Sequence, residues 1–352
     1  MEHPLRRYFY TLPKENIRAT PLMNRDESRL FVYDTKRDTI VFDHFYNIAK
    51  YIPKGALLVT NNTGVIPARV VFTKDTGGAI EGLVLLNEGF DADGAVPVIV
   101  GKRIYPGRRL SIGPSHWFTI TRQDEQKFYL KPEFAKEFLS ELLLAHGTTP
   151  IPYYLGKSEL SENDLRERYQ TIFAKDKKSV AAPTASLHIT ERVLASLEKE
   201  GIKRAEVTLD VGLGTFQEVE TRNVEEKFLH TEHFMIPEAS RESIREAKNT
   251  AQPIIAVGTT TVRALESAHA QILDTAKGDL VGETNIFIMP PYEFRMVDHL
   301  ITNFHVPESS LMALVDAFLE HKQAKRRILD LYNIAEREGF KFYSFGDSML
   351  IL

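Results

Sequence analysis

Ile254-Ile-Ala-Val-Gly-Thr-Thr-Thr-Val-Arg263 decides the fold. Four apolar residues in a row, Ile254 to Val257, give a strand buried on both faces. Gly258 ends that run, and a helix is expected over 261–273. A buried strand passing straight into a helix is the repeating unit of an α/β layer protein. The alternation extends both ways. Upstream, a helix over 190–200 carries Val193, Leu194 and Leu197 on one face and closes at Gly201. A strand at 205–211 and a charged surface helix at 237–249 follow. Downstream, strands are expected at 284–288 and 299–303. A helix over 309–320 has Leu311, Leu314, Val315 and Phe318 on one face, and a last helix at 325–338 precedes a strand at 341–345. The first sixty residues contain strands at 30–33 and 39–42, a short helix at 45–51 and the apolar run 56–59.

Between 68 and 130 the pattern changes. Short β runs at 68–72, 80–86, 96–100, 109–112, 117–121 and 128–130 are separated by Gly77-Gly78, Asp93-Gly94, Pro106-Gly107 and Gly113-Pro114. Such spacing predicts a small barrel or sandwich. A helix is expected next, with Pro132 near its first turn, Phe134, Phe138 and Leu142 on one face, and Gly147 at its end. The expected architecture is a large mixed α/β layered domain, 1–67 with 147–352. A small all-β barrel with a following helix, 68–146, is inserted into it.

Composition bounds the chemistry. The chain has 352 residues, enough for about two domains, with 43% apolar and 26% charged residues as in ordinary globular proteins. No cysteine is present, which excludes disulfides, thiolate zinc sites, a cysteine nucleophile and cysteine-ligated iron–sulfur clusters. The start, MEHPLRRYFY, lacks the apolar core of a signal peptide, and no apolar run approaches the roughly 20 residues of a membrane span. A cytoplasmic protein with no membrane association is therefore expected. Lys and Arg number 44 against 48 Asp and Glu, a net charge of −4, which argues against coating nucleic acid by charge alone.

Ligands of α/β sheets bind at the carboxyl ends of strands, so polar loops following strands are the candidate sites. After 254–257, the threonines Thr259 to Thr261 offer backbone N–H groups to an anion, although a plain helix cap would use the same residues. Arg263 and Glu266 lie one turn apart, where they serve equally well as a surface pair. Val207 to Phe216 contains Gly212 and Gly214, which permit close backbone approach but do not form a dinucleotide fingerprint. Leu300 to Pro307 delivers Thr302, Asn303 and His305 ahead of a proline turn. His230-Thr-Glu-His233 has adequate metal donors but neither the helical HExxH spacing nor the cysteines of a zinc deaminase, so no metal is expected. Ser179 to His188 surrounds Pro183 with small residues and supplies Thr184 and His188.

Together these motifs resemble one family nearly end to end, the S-adenosylmethionine:tRNA ribosyltransferase-isomerases of queuosine biosynthesis (QueA type). The resemblance is carried by RDESRL (25–30), NNTGVIPAR (61–69), Thr76-Gly-Gly78 with Glu81, RYQT (168–171) and SVAAPTASLHIT (179–190). It continues through VTLDVGLGTF (207–216), AVGTTTVRALES (256–267), ITNFHVPESSL (301–311) and FYSFGDSML (342–350). It implies an α/β domain with an inserted barrel. It also implies that S-adenosylmethionine acts as a ribosyl donor and co-substrate, with no further cofactor. The acceptor would be 7-aminomethyl-7-deazaguanine at the wobble position of tRNA, and the products epoxyqueuosine-tRNA, adenine and methionine. On that basis His188, His230 and His305, then Glu232 and Asp347, are the candidate acid–base groups. Thr184, Asp210, Gly212, Gly214, Thr215, Phe216, Thr259, Thr260, Arg263, Thr302 and Asn303 are candidate substrate-binding residues. Lys102, Arg103, Lys175, Lys177 and Lys178 are candidate tRNA contacts, each of which would look the same as part of a solvated surface.

Several positions depart from the family pattern. Asn62 and Gly64 stand where an acid and an arginine are usual, and Asp210 where a histidine is usual. Ser186 and Ile189 replace Gly and Phe, and Pro290-Pro-Tyr292 and Pro150-Ile-Pro-Tyr-Tyr154 vary two proline turns. Losing both partners of an ion pair is close to neutral, whereas Asp210 exchanges a possible proton donor for an anion. These changes leave a second reading open: a relative acting on S-adenosylmethionine with another acceptor or none, or a non-catalytic homologue that keeps the ligand pocket.

Overall fold

The computed structural model describes residues 3–101, 104–156, 159–212 and 219–352. Seventeen strands are present among them. The first four are β1 (Arg29–Asp34), β2 (Thr39–His44), β3 (Leu57–Asn61) and β4 (Gly64–Val65). The barrel strands are β5 (Arg69–Lys74), β6 (Ala79–Val84), β7 (Val96–Val100), β8 (Arg109–Ile112), β9 (His116–Asp124) and β10 (Lys127–Pro132). Then come β11 (Lys177–Ser179), β12 (Lys203–Leu209), β13 (Phe228–Ile236), β14 (Ile254–Val257), β15 (Leu280–Ile286), β16 (His299–Asn303) and β17 (Ser348–Ile351). The helices are α1 (Leu139–His146), α2 (Glu162–Arg168), α3 (Glu191–Lys199), α4 (Thr221–Glu226), α5 (Glu238–Asn249), α6 (Thr259–Ser267), α7 (His269–Leu273), α8 (Ser310–His321) and α9 (Ile328–Arg337).

Nine strands form the large sheet in the order β15-β13-β12-β3-β14-β16-β17-β1-β2. Its centre, β12-β3-β14-β16, is wholly parallel, and antiparallel pairings flank it. All four residues of β14 are fully buried, as an apolar strand in the middle of a covered sheet must be. The main core joins the sheet to α5, α6, α8 and α9 through residues such as Leu57, Val207, Ile244, Leu265 and Phe318. A second core beneath the opposite face holds Leu30, Ile48, Leu58, Val193, Ile255 and Ile301. Adjacent residues Leu57 and Leu58 thus point to different cores, which is the strand period of two at work. Among the described residues no helix is long and apolar enough to cross a membrane.

Six antiparallel strands close into a barrel ordered β10-β7-β6-β5-β8-β9, filled by Val70, Phe72, Val98, Leu110, Phe118 and Leu130. The mixed α/β class with a small closed barrel, expected from strand spacing, is what the chain adopts. Boundaries move where local turns override periodicity. Pro132 ends β10 rather than opening a helix, and α1 begins at Leu139. The helix expected at 261–273 begins at Thr259 and breaks at Ala268 into α6 and α7. The last strand is β17, not 341–345. Tyr343 turns the chain with φ +70, and the buried Asp347 carboxylate accepts N–H groups from Lys341 at 2.8 Å and Arg29 at 3.0 Å. That clamp folds 341–347 back and delays the strand to Ser348.

In the chain the barrel strands and α1 lie between Pro67 and Gly147, beside which Arg69 and Thr148 form an antiparallel bridge. A Cβ on Gly147 would sit 1.8 Å from the Pro67 carbonyl oxygen, so only glycine fits. Gly147→Ala is expected to lower stability by about 3 kcal/mol, read as a reduced denaturation midpoint. Gly101→Ala, where a Cβ meets nothing within 4 Å, leaves that midpoint unchanged.

Candidate active site

The parallel strands β12, β3, β14 and β16 end on one side of the sheet, and the residues following three of them line a cleft of about 90 Å³. Gly258 follows β14 with φ +89, a conformation glycine adopts without strain, and is itself the N-cap of α6. The threonines therefore do not cap the helix through their side chains. Thr261 bonds back to the Val257 carbonyl at 2.7 Å, and Thr260 accepts from the Asn61 amide at 3.2 Å. Thr259 and Thr260 line the cleft at the positive end of the helix. Thr184, Thr302, Asn303 and His305 close the floor. Val211, Leu229, Ile286, Leu311 and Leu314 supply an apolar wall.

β13 brings two further groups. His230 and Glu232 are two residues apart on a strand and face the cleft together, while His233 takes the opposite face beside Glu283 at 3.4 Å. The two histidines of His230-Thr-Glu-His233 therefore diverge. Glu232 is buried; one oxygen accepts the Gly212 N–H at 3.1 Å and the other pairs with Arg263 Nη1. The remaining donor nitrogens of Arg263, Nε and Nη2, are buried without a partner among the described residues. These two nitrogens form the side-on edge of a guanidinium, whose parallel N–H groups match a carboxylate. Leaving them unpaired is costly unless a ligand meets them.

The histidines are held neutral by burial. His305 is pushed down to about 3 and His188 to about 4, and His230 is lowered by desolvation and then by Lys127. His305 Nδ1 lies 3.2 Å from the Tyr332 hydroxyl and Nε2 3.2 Å from Thr302 Oγ1. Asn303 donates to the Tyr343 carbonyl at 3.1 Å, and its own oxygen is buried without a partner among the described residues. His230 has no hydrogen bond among the described residues.

Other expected site residues lie elsewhere. His188 is outside the cleft lining, bonded to Ser28 at 2.9 Å and next to a small hollow containing Arg18 and Arg25. Asp347 is fully buried in the clamp described above. Asp210 accepts from Thr63 at 2.8 Å, and burial raises its proton affinity. Gly212 touches the site only through its N–H. Lys175 pairs with Glu206, and Lys177 and Lys178 lie on exposed β11. Lys102, Arg103, Gly214, Thr215 and Phe216 fall outside the described residues. Sequence reading missed Tyr332 and the wall residue Leu229. Tyr332 sits on the buried face of amphipathic α9, where nothing local distinguishes it from core.

A glycine-capped helix, an arginine with an unpaired guanidinium edge and the neutral histidines His230 and His305 define an α/β enzyme-type cleft able to receive a ligand carboxylate. The chain belongs to the queuosine biosynthesis protein family, whose profile matches residues 5–351. It is 42% identical over 352 residues, 99% of both chains, to a Carboxydothermus hydrogenoformans protein named S-adenosylmethionine:tRNA ribosyltransferase-isomerase. An Aquifex aeolicus protein of the same name is 40% identical, covering 97% of this chain and 98% of its own. The crystal structure of S-adenosylmethionine tRNA ribosyltransferase from Thermotoga maritima matches with a TM-score of 0.54 and 30% identity, over 98% of this chain and 99% of that one.

The neutral histidines set an acid limit. Unfolded histidine takes up its proton near pH 6.5, while folded His188 and His305 wait until about 4 and about 3. Below 6.5 the unfolded chain thus binds more protons, and stability falls by up to about 1.4 kcal/mol per pH unit for each. Chemical denaturation between pH 7 and 4.5 is expected to show this loss, with a shallower slope in His188→Asn.

Proposed function

We propose that this chain transfers and isomerises the ribosyl group of S-adenosylmethionine onto 7-aminomethyl-7-deazaguanine at the wobble position of tRNA in the cytoplasm. The products are epoxyqueuosine-tRNA, adenine and methionine. The observation that carries this reading is the 42% identity, over 99% of both chains, to a relative named for that reaction class. The cleft supports it. The Nε–Nη2 edge of Arg263 would hold the methionine carboxylate, with the α6 N-terminus adding favourable field. Thr259 and Thr260 would take ribose hydroxyls, and the Leu229, Ile286, Leu311 and Leu314 wall would keep water from a carbanion-like intermediate.

In this reaction the sulfonium acidifies the adjacent ribose carbon. His230 Nε2 or Nδ1 removes that proton, adenine departs with the electron pair of its glycosidic bond and takes up the proton held by His230, the aminomethyl nitrogen attacks and loses a proton to solvent, and epoxide closure expels methionine as its neutral thioether. His230 suits the base role because it lines the cleft, burial favours its neutral form, and its ring has no hydrogen bond among the described residues. S-adenosylmethionine is consumed as co-substrate, and no other cofactor takes part. The family departures bear little on this. Asn62 bonds Glu206 at 3.0 Å and Thr208 at 2.6 Å, and Asp210 bonds Thr63. A Cβ on Gly64 would meet Lys177 Cγ at 2.9 Å. The three positions cluster at the β3, β4 and β12 ends and none lines the cleft.

The test is incubation with S-adenosylmethionine, with and without tRNA carrying the aminomethyl base, followed by mass spectrometry of small molecules and digested nucleosides. Adenine, methionine and epoxyqueuosine formed only with that tRNA are expected. Adenine released without tRNA, or no release, overturns the reading. His230→Ala should lower kcat by about 10² to 10⁴, and the acid limb of the wild-type rate profile should have its midpoint below pH 6.5. Arg263→Lys retains charge opposite Glu232 but loses the fork. It should raise the KM for S-adenosylmethionine about tenfold, equivalent to ~1.4 kcal/mol.

A further inference from the structure

His305 is buried at the end of β16, and its two ring nitrogens face different groups. The backbone N–H of His305 donates to the Tyr332 hydroxyl oxygen at 2.9 Å. That oxygen is thereby an acceptor, and its own proton must go elsewhere. Among the described residues the one acceptor bonded to it is His305 Nδ1, at 3.2 Å. Tyr332 is fully buried, and burial pushes its proton affinity up, so the phenol keeps its proton. A neutral imidazole has one N–H. With Nδ1 accepting from tyrosine, the ring proton resides on Nε2, which lies 3.2 Å from Thr302 Oγ1 at the cleft floor.

We infer that Tyr332 is a positioning residue that locks His305 in the Nε2–H form, so that His305 serves the reaction as a neutral hydrogen-bond donor to an acceptor atom of the ligand and not as a base. The chain of donors runs Tyr332 O–H to Nδ1, then Nε2–H to Thr302 Oγ1, whose own proton is left to point into the cleft. Whether a ligand meets Nε2–H or the threonine hydroxyl, it meets a donor. Under the function proposed above, on which the identity of the ligand atom rests, that atom is a ring nitrogen of the departing adenine. There the donor stabilises charge developing on the leaving group without transferring a proton. Both ring nitrogens of the imidazole are then committed, Nδ1 as acceptor and Nε2 as donor, and the proton removed from ribose has to go to another residue.

Two measurements test this. In the folded, ligand-free wild type, nitrogen-15 NMR of the His305 ring should show an unprotonated Nδ1 and a protonated Nε2 at pH 7. Tyr332→Phe should lose that preference and become a tautomer mixture. A protonated Nδ1 in the wild type overturns the inference, whatever the protein's substrate proves to be. In the turnover assay His305→Ala should lower kcat by about 10². His305→Gln, whose amide N–H falls near the Nε2 position, should stay within about tenfold of wild type. Equal loss in both variants, with the fold intact, would show that His305 exchanges a proton and would overturn its role as a donor. Complete inactivity of the wild type with S-adenosylmethionine and tRNA would refute the proposed function while leaving the NMR result standing.

Discussion

The parallel pairing of β3 with both β12 and β14 is the constraint on which the rest depends. Leu57 to Thr60 lie in register with Ile254 to Val257 on one side and with Lys203 to Glu206 on the other. Parallel strands fixed in this way must end together, so the segments after them are forced to crowd one edge. The glycine that starts α6, the backbone N–H of Gly212 and the Thr302–His305 loop all meet there for that reason. A one-residue slip of β14 would exchange the faces of Ile254 and Ile255 and break both cores at once. The site geometry is therefore as rigid as the sheet core.

Within the cleft, the buried charges explain the polar pattern. Arg263 and Glu232 come from α6 and β13, neighbours only because β13 folds antiparallel onto β12. Taking both ions out of water is repaid only with good geometry and additional partners. Glu232 has them through Gly212 and Arg263, whereas among the described residues only one of the three guanidinium nitrogens of Arg263 is met. The imbalance is local, and it places an unmet demand for negative charge at the mouth of α6. The neutral histidines obey the same economy, since an imidazolium in these surroundings would add a second uncompensated cation.

Much of this was legible in the sequence where a single local cause dominates. The apolar run of β14, the turn-separated strands of the barrel, and the amphipathic faces of α3, α8 and α9 have such causes. Thr259, Thr260, Arg263, Thr302, Asn303 and His305 were legible as residues that gather at one cleft, because polar groups following buried strands have few structural uses. What could not be read depends on tertiary partners. Asp347 looked like an acid in a polar motif, and its surroundings reveal a carboxylate held by the backbone N–H groups of Arg29 and Lys341 and by the Arg18 guanidinium. Tyr332 looked like core and proves to hold a cleft histidine. In His230-Thr-Glu-His233 the divergence of the two imidazoles follows from strand geometry, but no local signal marked that stretch as a strand.

The barrel leaves and rejoins the large domain at adjacent points, Pro67 and Gly147, tied by the Arg69–Thr148 bridge. For the α/β framework, nearly eighty residues are topologically equivalent to a short surface loop, whose closure entropy grows only slowly with length. The insertion is thus a cassette. Its outer turns are free to lengthen, shorten or change charge from one lineage to another without altering strand order or the register of β3.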